Sequence, residues 1–141
     1  MKSTISKYFL VFLIIVSIPD LAFSQTKSEI LDYQIEAFNQ RDIEKYLRHM
    51  HDSIRIVTFP NKVTQKNIEE VRFTYSTAFY AKSLSGQMKI VGRREFGEYC
   101  IQEQWLEGFN SEPVMNYVLF KFKEDKIIEI VNLPKNWAYG R

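Results

Sequence analysis

Residues 87–133, QMKIVGRREFGEYCIQEQWLEGFNSEPVMNYVLFKFKEDKIIEIVNL, hold the pattern on which the fold turns. Three stretches, Gln87 to Phe96, Tyr99 to Phe109 and Val114 to Phe122, are rich in β-branched and aromatic residues. Gly97 and the run Asn110-Ser111-Glu112-Pro113 divide them. The charged turn Lys123-Glu124-Asp125-Lys126 leads into a fourth stretch, Ile127 to Leu133. Four strands joined by short turns make an antiparallel meander, and its apolar face needs a cover.

The cover lies upstream. Thr26 and Glu29 fit a capping box, and Leu31, Ile35 and Phe38 recur at helical spacing, which predicts a helix from about Lys27 to Asn39. Asn39-Gln40-Arg41-Asp42 is a polar connection, with Asp42 placed to cap a second helix carrying Ile43, Tyr46, Leu47 and Met50. From Ile54 to Phe59 the chain alternates, with Ile54, Ile56 and Thr58 on one face and Arg55, Val57 and Phe59 on the other, until Pro60-Asn61 ends the strand. Asn67 and Glu70 form a second capping box, opening a third helix that runs toward Ser83 with the stripe Ile68, Val71, Tyr75, Ala78 and Phe79. Three helices with one strand among them, followed by four strands, predict an α+β domain.

The chain has 141 residues, 45% hydrophobic and 26% charged, with five Gly and four Pro, so one packed domain is expected and disordered or collagen-like classes are excluded. A net charge of +2 gives no electrostatic case for nucleic acid or an anionic membrane as partner. Lys2 and Lys7 flank the start of an apolar run from Tyr8 to Val16, and Ala22-Phe23-Ser24 offers small residues to a signal peptidase. The expectation is a signal peptide over residues 1–24 and a domain over 25–141, secreted or periplasmic, without a stable membrane anchor. No Cys follows the apolar run to carry a lipid, and Cys100, the single cysteine, sits in a strand pattern as a small core residue. One cysteine excludes an internal disulfide and a cysteine-type zinc cage. His49 and His51, placed at the end of the second helix, would point to opposite sides there, so no metal is expected, and no cofactor motif is present. Ser53 lies close to them, but no nucleophile-elbow glycine pattern supports a hydrolase.

Asn39-Gln40-Arg41-Asp42, His51-Asp52-Ser53-Ile54-Arg55-Ile56, Phe59-Pro60 and Lys126-Ile127-Ile128-Glu129 together resemble the SnoaL-like branch of the nuclear transport factor 2-like superfamily. The likeness spans about Ser28 to Leu133. It implies a cone: a strongly curved antiparallel sheet wrapped round the three N-terminal helices, with a pocket at the open end. Ketosteroid isomerases, polyketide cyclases and non-catalytic proteins share that scaffold, so the fold leaves function open.

The resemblance also says where acids would stand. The isomerase branch keeps a general-base Asp at the end of the first strand, where this chain has Val57, Thr58 and Phe59. Its oxyanion donors would fall near Gln34 and Val118, of which only the first can donate a hydrogen bond. The SnoaL-like branch often has Asp before Phe-Pro and Glu on the third strand, positions held here by Thr58 and Gln104. These exchanges keep hydrogen bonding and delete charge, which suits a pocket for a small apolar or neutral polar ligand without acid-base work. The register of the third strand is the open point. If it slips by one residue, Glu103 faces inward between Ile101 and Trp105 and becomes a candidate acid for an isomerase or cyclase.

The pocket-facing set expected from sequence is Gln34, Met50, Ile56, Thr58, Phe73, Gln102, Gln104, Val118 and Phe120. Tyr75, Phe79, Tyr80 and Phe122 are further aromatic candidates. A third alternative is an interaction module, because the outer sheet face of the resembled fold commonly makes dimers. Trp105, Tyr117 and Ile128 would then lie between chains.

Overall fold

The computed structural model describes residues 24–81 and 85–135. The expected leader, apart from Ser24, lies outside the described residues, as does the expected helix end at Ser83. The chain runs α1 (Lys27–Gln40), α2 (Ile43–Leu47), β1 (Met50–Thr58), β2 (Lys62–Gln65), α3 (Ile68–Tyr80), β3 (Gln87–Phe96), β4 (Tyr99–Glu107), β5 (Val114–Lys123) and β6 (Lys126–Leu133). The six strands form one curved, unclosed sheet in the order β2-β1-β6-β5-β4-β3. All neighbours are antiparallel except β1 and β6, which run parallel.

Each helix begins where its sequence signal lies. The Glu29 N–H donates to Thr26 Oγ1 at 3.2 Å while the Thr26 N–H donates to Glu29 Oε2 at 2.7 Å, so α1 has both halves of a capping box. At its other end Arg41 takes a left-handed φ of 59°, and the pair Arg41 N–H to Phe38 O and Asp42 N–H to Ala37 O closes the helix as a Schellman motif. The Arg41 guanidinium lies 4.9 Å from the Phe38 ring centre, so stacking holds a backbone conformation that a non-glycine residue rarely takes. Asp42 caps α2 through Lys45 N–H, and Asn67 caps α3 through Glu70 N–H. Glu70 itself reaches back to the Lys66 N–H at 2.8 Å, one residue short of a capping box.

Two expectations change. The second helix stops at Leu47, and Met50 opens β1, paired with Ile127, whose N–H donates to His49 O at 2.8 Å. Met50 satisfies the helical spacing, yet a partner strand claims its backbone, and tertiary pairing outweighs local propensity. A short strand, β2, also follows the cis Phe59-Pro60 turn and pairs with the end of β1.

The core fills the concave side of the sheet. Ile30, Leu31 and Phe38 of α1, Tyr46 and Leu47 of α2 and Val71 of α3 meet Met50, Ile54, Ile56, Cys100, Val118, Phe120, Phe122, Ile127 and Ile130 of the strands. Cys100 is a free, buried thiol, pushed up to about 11 by burial in this apolar setting.

Candidate functional site

A cavity of about 90 Å³ opens between the helices and the inner face of the sheet. Helix α1 contributes Gln34 and Ile35, while Tyr46 comes from α2 and Tyr75 from α3. Strand alternation sends the rest inward: Gln104 from β4, Asn116, Val118 and Phe120 from β5, Ile130 and Asn132 from β6, with Met88 of β3 at the side. The wall on the α1 side is held firmly. The Asn39 side chain pairs with Met88 like an added strand, donating to its O and accepting from its N–H, each at 2.8 Å. Arg93 crosses from β3 to donate to Ser28 O at 3.1 Å and to Asp32 Oδ1 at 2.8 Å.

The chemistry of the lining is neutral. Four carboxamides, Gln34, Gln104, Asn116 and Asn132, and two phenols, Tyr46 and Tyr75, are its polar groups, and no carboxylate, imidazole, amine or guanidinium is among them. The two phenol rings lie against each other, with ring centres 4.7 Å apart. Burial pushes Tyr46 well above the ordinary phenol value of 10 and raises Tyr75 as well, so both keep their protons through the physiological range. Asn116 Nδ2 donates to Gln104 Oε1 across a long 3.5 Å. Gln34 is 4% exposed, and its Nε2 has no hydrogen-bond partner.

Of the residues expected in the pocket, Gln34, Gln104, Val118 and Phe120 meet there. Met50 and Ile56 are buried in the core and do not line the cavity. Gln102 also faces inward, but it is fully buried against Arg93, which donates to its Oε1 from Nε at 3.0 Å and from Nη2 at 2.8 Å. Thr58 is exposed at the end of β1, beyond the cavity lining. Phe73 is 75% exposed, lying over a shallow groove with Gln65 and Thr74, and Tyr80 is exposed too, because neither falls on the Val71-Tyr75-Phe79 stripe that packs inward. Phe79 packs edge-on against Phe38, and Phe122 belongs to the core. Glu103 is exposed beside Gly92, while Gln104 turns inward.

His51 stands on β1, not on a helix, and is exposed with Nδ1 2.8 Å from Ser53 Oγ. His49 lies before β1 with its ring edge-on to Tyr33. Among the described residues no three His, Cys, Asp or Glu side chains converge as metal ligands would. Tyr75 was among the aromatic candidates and lines the cavity, whereas Asn116, Asn132 and Tyr46 are the polar lining residues that sequence reasoning missed, with Ile35, Met88 and Ile130 beside them. The two asparagines carry a usable signal: each interrupts an apolar inward alternation, Asn116-Val118-Phe120 and Ile130-Asn132, with a group that burial would otherwise disfavour.

Comparison with solved structures finds the same fold in proteins described as NTF2-like. An uncharacterized cystatin-fold protein from Novosphingobium aromaticivorans aligns with a TM-score of 0.70 at 20% identity, over 78% of this chain and 99% of its own. An NTF2-like protein of unknown function from Cytophaga hutchinsonii aligns at 0.62 and 9% identity, over 76% and 88%. A candidate polyketide cyclase from Sinorhizobium meliloti aligns at 0.63 and 13% identity, over 73% and 92%. No protein-family model matches the chain, and no curated protein matches it. At these identities the likeness establishes the fold.

Proposed function

With the NTF2-like fold as premise, we propose that this protein binds a small neutral molecule in the hollow of its cone and performs no acid-base chemistry there. One observation carries the proposal: every polar group lining the cavity is a carboxamide or a protonated phenol. Proton abstraction or donation near neutral pH needs a group titrating near that pH, placed within hydrogen-bond reach of the substrate. Glu103, the acid that a shifted register would supply, stands exposed on the opposite face. The cavity volume, about 90 Å³, also falls below the ~300 Å³ at which drug-sized pockets begin, so the part of the ligand it encloses is small. The basic and apolar N-terminal pattern supports export, which makes the cargo one met outside the cytoplasm.

The test is a thermal-shift screen of small neutral polar compounds, followed by titration across pH. Saturable stabilisation is expected, with an affinity that stays flat from about pH 5 to about pH 9, because no lining group changes charge in that window. Gln104→Leu should weaken it. Turnover of any compound in the cavity, controlled by a group titrating inside that window, overturns the proposal.

A further inference from the structure

We infer that the group buried in the hollow is itself a neutral primary amide or urea-type group, presenting a carbonyl oxygen next to an N–H; this rests on the small-molecule binding proposed above. Three observations converge. Gln34 lines the cavity and is nine-tenths buried, and its Nε2 has no partner among protein atoms, so an unmatched buried donor belongs to a side chain at the hollow. A buried donor left unmatched is costly, and an oxygen brought in by a ligand removes that cost. On the far wall Gln104 and Asn116 hold each other across only 3.5 Å, a contact weak enough to yield to a better partner. Asn132 stands beside them. A carboxamide carries both a donor and an acceptor, so a wall of them is best met by a ligand that carries both in return.

Charge excludes the nearest rivals. A carboxylate of the same shape would satisfy Gln34 but would bring an uncompensated charge into a wall without a cation, and an ammonium group would meet no anion. A hydrocarbon would leave Gln34 Nε2 as it is. Size narrows the group further. At roughly 30 Å³ per water, the hollow holds about three waters, or an organic group of about four heavy atoms. Acetamide has that size and that pairing of groups.

The experiment uses nitrogen-15-labelled protein and follows the side-chain amide signals of Gln34, Gln104, Asn116 and Asn132 by NMR. Acetamide, acetone, acetate and ethylammonium are titrated in turn. Acetamide is expected to shift the Gln34 and Gln104 signals saturably, with acetone, acetate and ethylammonium at least about tenfold weaker, as loss of one buried hydrogen bond or burial of a charge requires. Gln34→Leu should weaken acetamide by a similar factor, and Asn116→Leu serves if that variant does not fold. If acetone matches acetamide, the ligand needs no donor and the amide assignment falls while neutral binding stands. If acetate or ethylammonium binds most tightly, or no neutral probe shifts these signals, the underlying function falls with it.

Discussion

Gln102 occupies the inner face of β4 without any solvent, and its value lies in what it does for Arg93. The Arg93 side chain is 14% exposed, so its N–H groups depend largely on protein acceptors, and Gln102 Oε1 takes two of them. Gln102→Leu keeps the volume and removes the acceptor, leaving charged donors unmatched in a place water barely reaches. The expected loss is about 2 to 3 kcal/mol, seen as a lower urea midpoint with an unchanged slope. Gln102→Glu keeps the acceptor, adds a countercharge and removes the unpartnered Nε2, so it should lose less. Equal losses in the two variants would show that the position responds to shape alone. Much of the inner face of β4 could be read from its sequence, because Cys100, Gln102 and Gln104 alternate with Ile101, Glu103 and Trp105. The unresolved choice between Gln104 and Glu103 was a choice of register, and pairing with β5, where Gln104 faces Asn116 and Gln102 faces Val118, is information that no single strand contains.

At the scale of elements, the helices were legible and the strand edges less so. Capping groups act within three or four residues, so Thr26, Asp42 and Asn67 mark helix starts without help from the rest of the chain. Strand β2 has one apolar residue in four, Lys62-Val63-Thr64-Gln65, and exists because β1 offers it a backbone to pair with, so no periodicity announces it. Phe73 and Tyr80 show the converse error: aromatic character suggested a lining role, but helical phase decides which side chains face inward. The β3–β4 ribbon makes a test at this scale. Its open end is closed by Gly86, where a Cβ would overlap the Phe109 ring and stand 2.6 Å from Glu107 O. Gly86→Ala should therefore cost about 1 to 3 kcal/mol, the ordinary penalty of overpacking. Gly97, in the tight turn at the other end, has a φ of +57° and nothing within 4 Å of its Cβ direction, so Gly97→Ala bears only the left-handed backbone penalty of about 1 to 2 kcal/mol. Thermal melts of the two variants should rank Gly86→Ala as at least equally damaging; a harmless Gly86→Ala would show that the corner opens freely.

For the whole molecule, the described helices cover one side of the curved sheet. Its concave side holds the core and cavity, while alternation sends Ile101 and Trp105 of β4, Tyr117 and Leu119 of β5 and Val131 of β6 to the convex side, where none of the described helices lies. Lys121 and Glu129 pair across β5 and β6 near one end of this band, and the Arg55–Glu129 ion pair continues a polar border onto β1. An apolar centre with a charged border is the usual build of a protein interface. We propose that two copies pair through this face, with Trp105 and Leu119 near its centre; Tyr117 is only 8% exposed in the single chain and adds little area, and Ile128 lies where the β5–β6 register shifts and is less well placed. Sedimentation equilibrium should show a dimer, and Leu119→Lys, which adds a charge to the half-exposed convex side while leaving the core intact, should shift it to monomer with the circular dichroism spectrum unchanged. Because the cavity opens on the concave side, that monomer should bind the neutral probes as the parent does. A parent protein that sediments as a monomer at high concentration would remove the pairing and leave the cavity argument untouched, since the two rest on opposite faces of one sheet.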